Sequence, residues 1–309
     1  MKKIILIILL FVVKNTHAQD LKTVEISINP LINGTLFEPN QITSQTPLVI
    51  VIAGSGPTDR NGNAPGMTNN SLKYVAQELA KNKIACFSFD KRIIAQMKNG
   101  TINEKELSID TFVADTKDVC QYFIQQKKYS KIILAGHSEG ALIGMLAAPK
   151  LAQAYISIAG AGRTIDDIIV EQIDKQAPSM KNEVRQCLDI LKQGKTFELK
   201  NQMLASLFRE SFQPYMISWI KYNPQHEIKK LNIPTLIING TKDIQVNSTD
   251  ANLLKASKPD AQLAIIDNMN HIFRHIKGDD AENIASYSNS DLPIDTELAK
   301  TIITFINKL

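Results

Sequence analysis

A serine, an aspartate and a histidine stand at Ser138, Asp243 and His271, each shortly after an apolar run. A serine hydroxyl is a weak nucleophile at neutral pH. A histidine that takes its proton makes it attack, and a carboxylate on the other ring nitrogen fixes the useful tautomer. The serine lies in Gly136-His137-Ser138-Glu139-Gly140, directly after Ile132-Ile133-Leu134-Ala135, with a helix-like segment behind it. A G-x-S-x-G at a strand end is the sequence form of a sharp turn that lifts the hydroxyl clear of a sheet. The two glycines sit where a β-carbon would collide. A serine that merely caps a helix is the alternative, and the strand, both glycines and the helix together argue against it.

Asp243 follows Pro234-Thr235-Leu236-Ile237-Ile238-Asn239-Gly240, and His271 follows Leu263-Ala264-Ile265-Ile266 by a short loop. Their rivals are Asp250 and His275. Of the other histidines, His137 lies inside the turn, where its ring packs beside the sheet, and His226 precedes the segment leading into Thr235. Acyl transfer also needs donors for the oxyanion of the tetrahedral intermediate. The N–H of Glu139, at the start of the helix behind Ser138, is one candidate. Gly54-Ser55-Gly56 does not read as a phosphate loop, because no Gly-Lys-Ser or Gly-Lys-Thr follows. Asp59 and Arg60 read as loop anchors, through ion pairs to Asp90 or Arg92, with shaping of the pocket rim as the alternative.

The elements that must hold these residues alternate. Strand-like runs occupy 48–52, 84–89, 132–135, 154–158, 235–238 and 263–266. Most are continuously apolar, as in a parallel sheet buried on both faces. Between them lie amphipathic stretches, with Leu72, Val75, Ala76 and Leu79 on one face, then Phe112, Val113, Thr116, Val119, Cys120 and Phe123, then Ile302, Phe305 and Ile306. Repeated β-α units predict an α/β fold with a mostly parallel, doubly wound sheet. Residues 23–37 predict an antiparallel edge hairpin turning at Asn33-Gly34. The alternation breaks over 164–230, a helical stretch that would form a lid inserted into the core of 19–163 and 231–309. Phe208, Phe212, Tyr215, Met216 and Trp219 share one helical face there, a stripe that reads as lid packing, with substrate lining as the alternative. Ligands of open α/β sheets bind beyond the carboxyl ends of the strands, where Ser138, Asp243 and His271 all fall.

In its Ser-Asp-His order and its G-x-S-x-G turn, the chain resembles the α/β-hydrolase superfamily over nearly all its length beyond residue 18. Ala53-Gly54-Ser55-Gly56-Pro57-Thr58-Asp59-Arg60-Asn61-Gly62-Asn63 is similar to the oxyanion loop of bacterial esterases and serine aminopeptidase-like hydrolases. That likeness implies a catalytic triad of Ser138, Asp243 and His271, with oxyanion donors at the N–H groups of Ser55 and Glu139. It implies carboxylic ester hydrolysis without metal or organic cofactor, on small-molecule esters. A peptidase on the same residues is the alternative, with Asp166, Asp167 and Glu171 as candidate ammonium ligands. A non-catalytic binding protein on the same fold is a further one. The chain departs from the family after Phe89-Asp90-Lys91-Arg92, where Ile93-Ile94-Ala95 replaces the usual Gly-x-Gly, so this loop must run differently.

The bulk composition fits one large domain: 309 residues, 44% hydrophobic and 21% charged. Lys2 and Lys3 precede the apolar run 4–13, and Thr16-His17-Ala18 ends in a small residue, which predicts a signal peptide over 1–18 and a periplasmic or secreted product. The formal charge of +4 includes Lys2, Lys3 and Lys14. The rest is close to neutral, with no footprint for nucleic acid and no expected membrane anchor after cleavage. Cys86, Cys120 and Cys187 are too widely spaced for a zinc set or a disulfide framework, although a Cys120–Cys187 bridge stays open.

Overall fold

The computed structural model describes residues 21–309, so the expected signal segment lies outside the described residues. The chain opens with β1 (Leu21–Asn29), β2 (Ile32–Pro39), β3 (Leu48–Ile52), α1 (Ser71–Lys81), β4 (Ala85–Phe89), α2 (Arg92–Asn99) and α3 (Ile109–Gln126). It continues with β5 (Ile132–His137), α4 (Glu139–Ala147) and β6 (Ala154–Ile158). Five helices come next: α5 (Ile165–Gln176), α6 (Lys181–Lys192), α7 (Ala205–Phe208), α8 (Gln213–Ile220) and α9 (Pro224–Ile228). It closes with β7 (Thr235–Gly240), α10 (Ser248–Ser257), β8 (Gln262–Ile266), α11 (Asp280–Ser286) and α12 (Thr296–Ile306).

The strands form one eight-stranded sheet in the order β1-β2-β4-β3-β5-β6-β7-β8. The β1–β2 and β2–β4 pairs are antiparallel, and every later pair is parallel. Successive side chains of a strand point to opposite faces. In β3, Leu48, Ile50 and Ile52 join the core beneath α3 and α4, while Val49 and Val51 join the core beneath α1 and α12. Both faces are covered, which explains why the run is apolar without alternation. Leu72, Val75 and Leu79 of α1 and Leu298, Ile302 and Phe305 of α12 fill the second core.

The N-terminal hairpin forms, but its turn lies at Pro30-Leu31 rather than Asn33-Gly34. Asn29 Oδ1 accepts the N–H groups of Leu31 and Ile32 at 2.9 and 3.0 Å, and Pro30 supplies a fixed φ. Asn33 and Gly34 are strand residues facing Ser27 and Ile26. Gly34 is there for room, since a β-carbon would lie 2.2 Å from the Phe87 ring of β4.

Helices α5–α9 run between β6 and β7. The aromatic stripe of this stretch is not one helical face, because α7 stops at Phe208 and α8 starts at Gln213. Phe208 and Tyr215 are buried in packing, whereas Phe212, Met216 and Trp219 line a cavity. The stripe therefore divides between packing and cavity lining. After β4, where glycines were expected and are missing, the chain enters α2 at Arg92 without a positive φ. Cys86, Cys120 and Cys187 are all free thiols. Among the described residues no helix is long and apolar enough to cross a membrane.

Candidate active site

Ser138, Asp243, His271 and the loop after β3 all follow the carboxyl ends of parallel strands, so they gather at one edge of the sheet. Ser138 links β5 to α4 at φ 55° and ψ −120°, a backbone state that costs a non-glycine residue strain. Its N–H is tied to Ile158 O of β6 at 3.0 Å. The flanking glycines are required by close approach. A β-carbon on Gly136 would lie 2.1 Å from Gly140 O, and one on Gly140 would lie 2.3 Å from Ile52 O. Helix α4 can therefore start directly against β3, and the strained turn is held from both sides.

The Asp243 and His271 loops approach each other as closely. A β-carbon on Gly240 would lie 1.9 Å from Met269 O, and Lys242 N–H donates to that carbonyl at 3.0 Å. Asp243 Oδ1 accepts the N–H groups of Gln245 and Val246 at 2.8 and 2.9 Å. Its other oxygen, Oδ2, lies 2.7 Å from His271 Nδ1. A carboxylate only accepts, so Nδ1 carries the ring proton and Nε2 presents a lone pair. Both side chains are buried.

His137, inside the turn, packs beneath His271 with ring centroids 4.7 Å apart. Its Nε2 donates to His271 O at 2.9 Å, which fixes the backbone of that loop. Burial first, and the neighbouring His271 second, hold His137 well below the ordinary imidazole value of 6.5. It is therefore a neutral ring at physiological pH.

Ser138 and His271 line one small cavity of about 80 Å³ together with Gly54, Ser55 and Tyr287. Among the described residues no hydrogen bond joins Ser138 Oγ to His271, and such contacts often tighten only around bound substrate. Ser138 and Ser55 also line a second cavity of about 260 Å³, walled by Leu142, Ile168, Phe212 and Trp219. The Ser55 N–H makes no hydrogen bond among the described residues. The Glu139 N–H opens α4, where a helix offers no internal acceptor. Ser138 thus borders two spaces, the small one with His271 and the larger, apolar-walled one with Ser55 and Glu139.

The rival residues have other work. His275 pairs with Asp295 at 2.8 Å outside both cavities. Asp250 accepts from the N–H groups of Gly162 and Arg163 and pairs with the Arg163 guanidinium. Asp59 and Arg60 anchor their loop as expected. Asp59 Oδ1 accepts from Asn61 and Asn63, and Arg60 pairs with Asp90 at 2.8 Å and with Glu25. Arg92 pairs instead with Asp115. The acids considered for an ammonium group are all occupied. Asp166 is held by Arg185 and Lys192, Asp167 by Arg185, and Glu171 by Arg163 and Lys175. The Lys175 bond, ahead of Arg163, pulls the Glu171 carboxyl down to about 2.

Sequence reasoning missed a buried polar cluster beside Ser138. Lys91 Nζ donates to Gly54 O at 2.6 Å and to Glu139 Oε1 at 3.0 Å. Glu139 Oε2 accepts the Tyr215 hydroxyl at 2.5 Å. No motif links these positions, and a single lysine after a strand carries no signal of burial. Among the described residues no group of three or more His, Cys, Asp or Glu side chains is placed to hold a metal ion.

The BD-FAE family model matches residues 35–257. Esterase EstD of Thermotoga maritima is 24% identical over 231 residues, 73% of this chain and 54% of that protein. The chain thus matches about half the length of this curated relative. Among solved structures, Est1E from Butyrivibrio proteoclasticus aligns with a TM-score of 0.57 at 15% identity, over 93% of this chain and 99% of its own. Est1E with ferulic acid bound gives 0.58 at 16% identity, over 93% of this chain and 100% of its own. The Pyrococcus furiosus esterase Pf2001 gives 0.52 at 13% identity, over 93% and 92% of the two chains. At these identities the structures establish the fold, and the family model covers most of the chain. With its mostly parallel sheet and its strand-end site, the chain is an α/β-hydrolase that belongs to the BD-FAE family.

Proposed function

We propose that the chain is a serine esterase that cleaves carboxylic esters through an acyl-enzyme on Ser138. One observation carries the reading: a serine at φ 55° opens into the cavity lined by His271, whose Nδ1 is held by Asp243 at 2.7 Å. Ser138 Oγ attacks the ester carbonyl carbon while His271 Nε2 takes its proton. The carbonyl π pair moves onto oxygen, within the donors of Ser55 and Glu139. Collapse breaks the bond to the alcohol oxygen, which receives the proton from His271. Water then repeats the sequence and frees the acid.

The larger cavity suits the acyl group, since its walls are mainly aliphatic and aromatic. Its size fits small or medium chains. Ferulic acid in the Est1E structure makes an aromatic acyl group a sensible member of the substrate panel. The acid of this lining, Glu139, is already paired with Lys91, so no observation favours an aminopeptidase. The residue pattern of 1–18 supports action after export, which N-terminal sequencing of the exported protein tests.

The decisive experiment is p-nitrophenyl ester turnover, graded by chain length and run beside aminoacyl amides and a feruloyl ester. Fluorophosphonate labelling accompanies it. The wild type should be labelled and should turn esters over, and Ser138→Ala should do neither. Full activity in Ser138→Ala, or an unreactive wild-type serine, rejects the reading.

A further inference from the structure

Lys91 is a fully buried lysine in a protein whose other charges mostly reach water, and such burial needs a reason. Its Nζ reaches Gly54 O at 2.6 Å, Glu139 Oε1 at 3.0 Å and the face of the Phe112 ring at 5.0 Å. Glu139 in turn holds the Tyr215 hydroxyl at 2.5 Å. The chain of contacts joins the loop after β3, the end of β4, the first residue of α4 and helix α8. An isolated buried ion pair adds little stability compared with an apolar pair of the same volume. Its value must lie in what it positions.

Gly54 and Ser55 share one planar trans peptide, so the Gly54 C=O and the Ser55 N–H point in opposite directions. Whatever holds the carbonyl on one side aims the N–H to the other. Gly54 packs directly on the nucleophile, since a β-carbon there would lie 3.3 Å from Ser138 Cβ. A glycine places almost no restriction on its own ψ. The peptide can rotate cheaply unless an outside group holds it, and Lys91 is that group.

We propose that Lys91 is a positioning residue: by gripping Gly54 O it aims the Ser55 N–H at the oxyanion, and Glu139 and Tyr215 make that aim depend on docked α8. The proposal rests on the esterase reading and deepens it. Tyr215 fixes Glu139, and Glu139 fixes the ammonium. When α8 is docked, the donor is set. Without the Tyr215 contact, Glu139 loses a partner and the grip loosens. The hole is thus completed by the same helix that walls the substrate cavity through Met216 and Trp219.

The test compares wild type with Lys91→Met, Lys91→Arg and Tyr215→Phe on a p-nitrophenyl ester. Each rate is normalised to serines titrated by fluorophosphonate at end point. Lys91→Met should lower kcat by about 100-fold, the scale of one lost oxyanion donor, with KM within about twofold. Affinity for a trifluoromethyl ketone should fall in step with kcat/KM, because that inhibitor places an oxyanion in the hole. Lys91→Arg should recover part of the rate, and Tyr215→Phe should lower kcat several-fold at unchanged KM. A merely structural lysine would reduce the titratable fraction and the melting temperature while leaving kcat per titrated serine intact. That result overturns the proposal, as does unchanged kcat in Tyr215→Phe for the coupling to α8. If Lys91→Met fails to fold, Lys91→Arg and Tyr215→Phe decide alone. A wild type without ester turnover would sink the esterase reading, a distinct outcome.

Discussion

Replacing Asp243 by asparagine tests which ring nitrogen of His271 carries the proton. Asp243 Oδ1 accepts two backbone N–H groups at 2.8 and 2.9 Å, while Oδ2 faces His271 Nδ1 at 2.7 Å. An asparagine amide has one accepting end and one donating end. With its oxygen kept on Gln245 and Val246, its NH2 faces His271. Nδ1 must then accept, the ring proton moves to Nε2, and the base can no longer take the Ser138 proton. Turning the amide over restores the acceptor to His271 but sets NH2 against two N–H groups. That costs about 1–3 kcal/mol for each group left unsatisfied, or about 2–6 kcal/mol in all. At about 1.4 kcal/mol per factor of ten, the productive form is depleted by about 30-fold to about 10⁴-fold. The upper end matches the loss of about 10⁴ known for a triad histidine in the wrong tautomer. We expect kcat for a p-nitrophenyl butyrate substrate to fall by about 10³–10⁴, with the circular dichroism spectrum unchanged. An Asp243→Asn protein that keeps a rate within about tenfold of wild type refutes the tautomer argument.

Ser138→Gly should end turnover yet raise stability by about 1 kcal/mol, because glycine occupies φ 55° without strain; a lower melting temperature contradicts this. His275→Ala should leave kcat/KM within about threefold, since its partner Asp295 caps the N-terminus of α12 and neither lines the Ser138 cavity; a loss as large as that of His271→Ala would exchange the two histidines. His137 binds its proton less readily when folded than when unfolded, because its folded value lies below 6.5. Its contribution to stability is therefore complete above pH 6.5 and declines as the pH falls below that value, with a slope of at most about 1.4 kcal/mol per pH unit. His137→Gln, which keeps a donor for His271 O, should flatten the melting temperature between pH 6.5 and 5, and equal slopes would rule this out.

The parallel sheet was legible because its inner strands are buried on both faces, and burial on both faces removes polar residues from the run itself. β3 reads Leu-Val-Ile-Val-Ile for this reason. The hairpin turn was misplaced because Asn-Gly is a strong local signal, while the demand that decided Gly34 was the Phe87 ring on a strand about fifty residues away. Local propensity yields to tertiary contact of that kind. The aromatic stripe misled in a similar way. Its spacing is helical, but the break at 209–212 rotates Phe208 away from the face that Phe212 and Trp219 present to the cavity.

Ser138, Asp243 and His271 stand out in the sequence because each stands at a fixed place relative to a strand end. What supports them does not. His137 acts through a carbonyl 134 positions away, and Lys91 through one 37 positions away. A carbonyl is present at every residue, so the identity of the partner leaves no trace in the sequence. Lys91 is informative only once Gly54 O is known to accept from it and Ser138 Cβ is known to lie close to Gly54. The peptide plane then does the rest, since holding one end of a rigid dipole fixes the other. An oxyanion donor supplied by the backbone is therefore specified less by its own residue than by the side chain that grips the preceding carbonyl. On the proposed role of Lys91, most replacements of Ser55 should leave its N–H in place, whereas loss of Lys91 should free it.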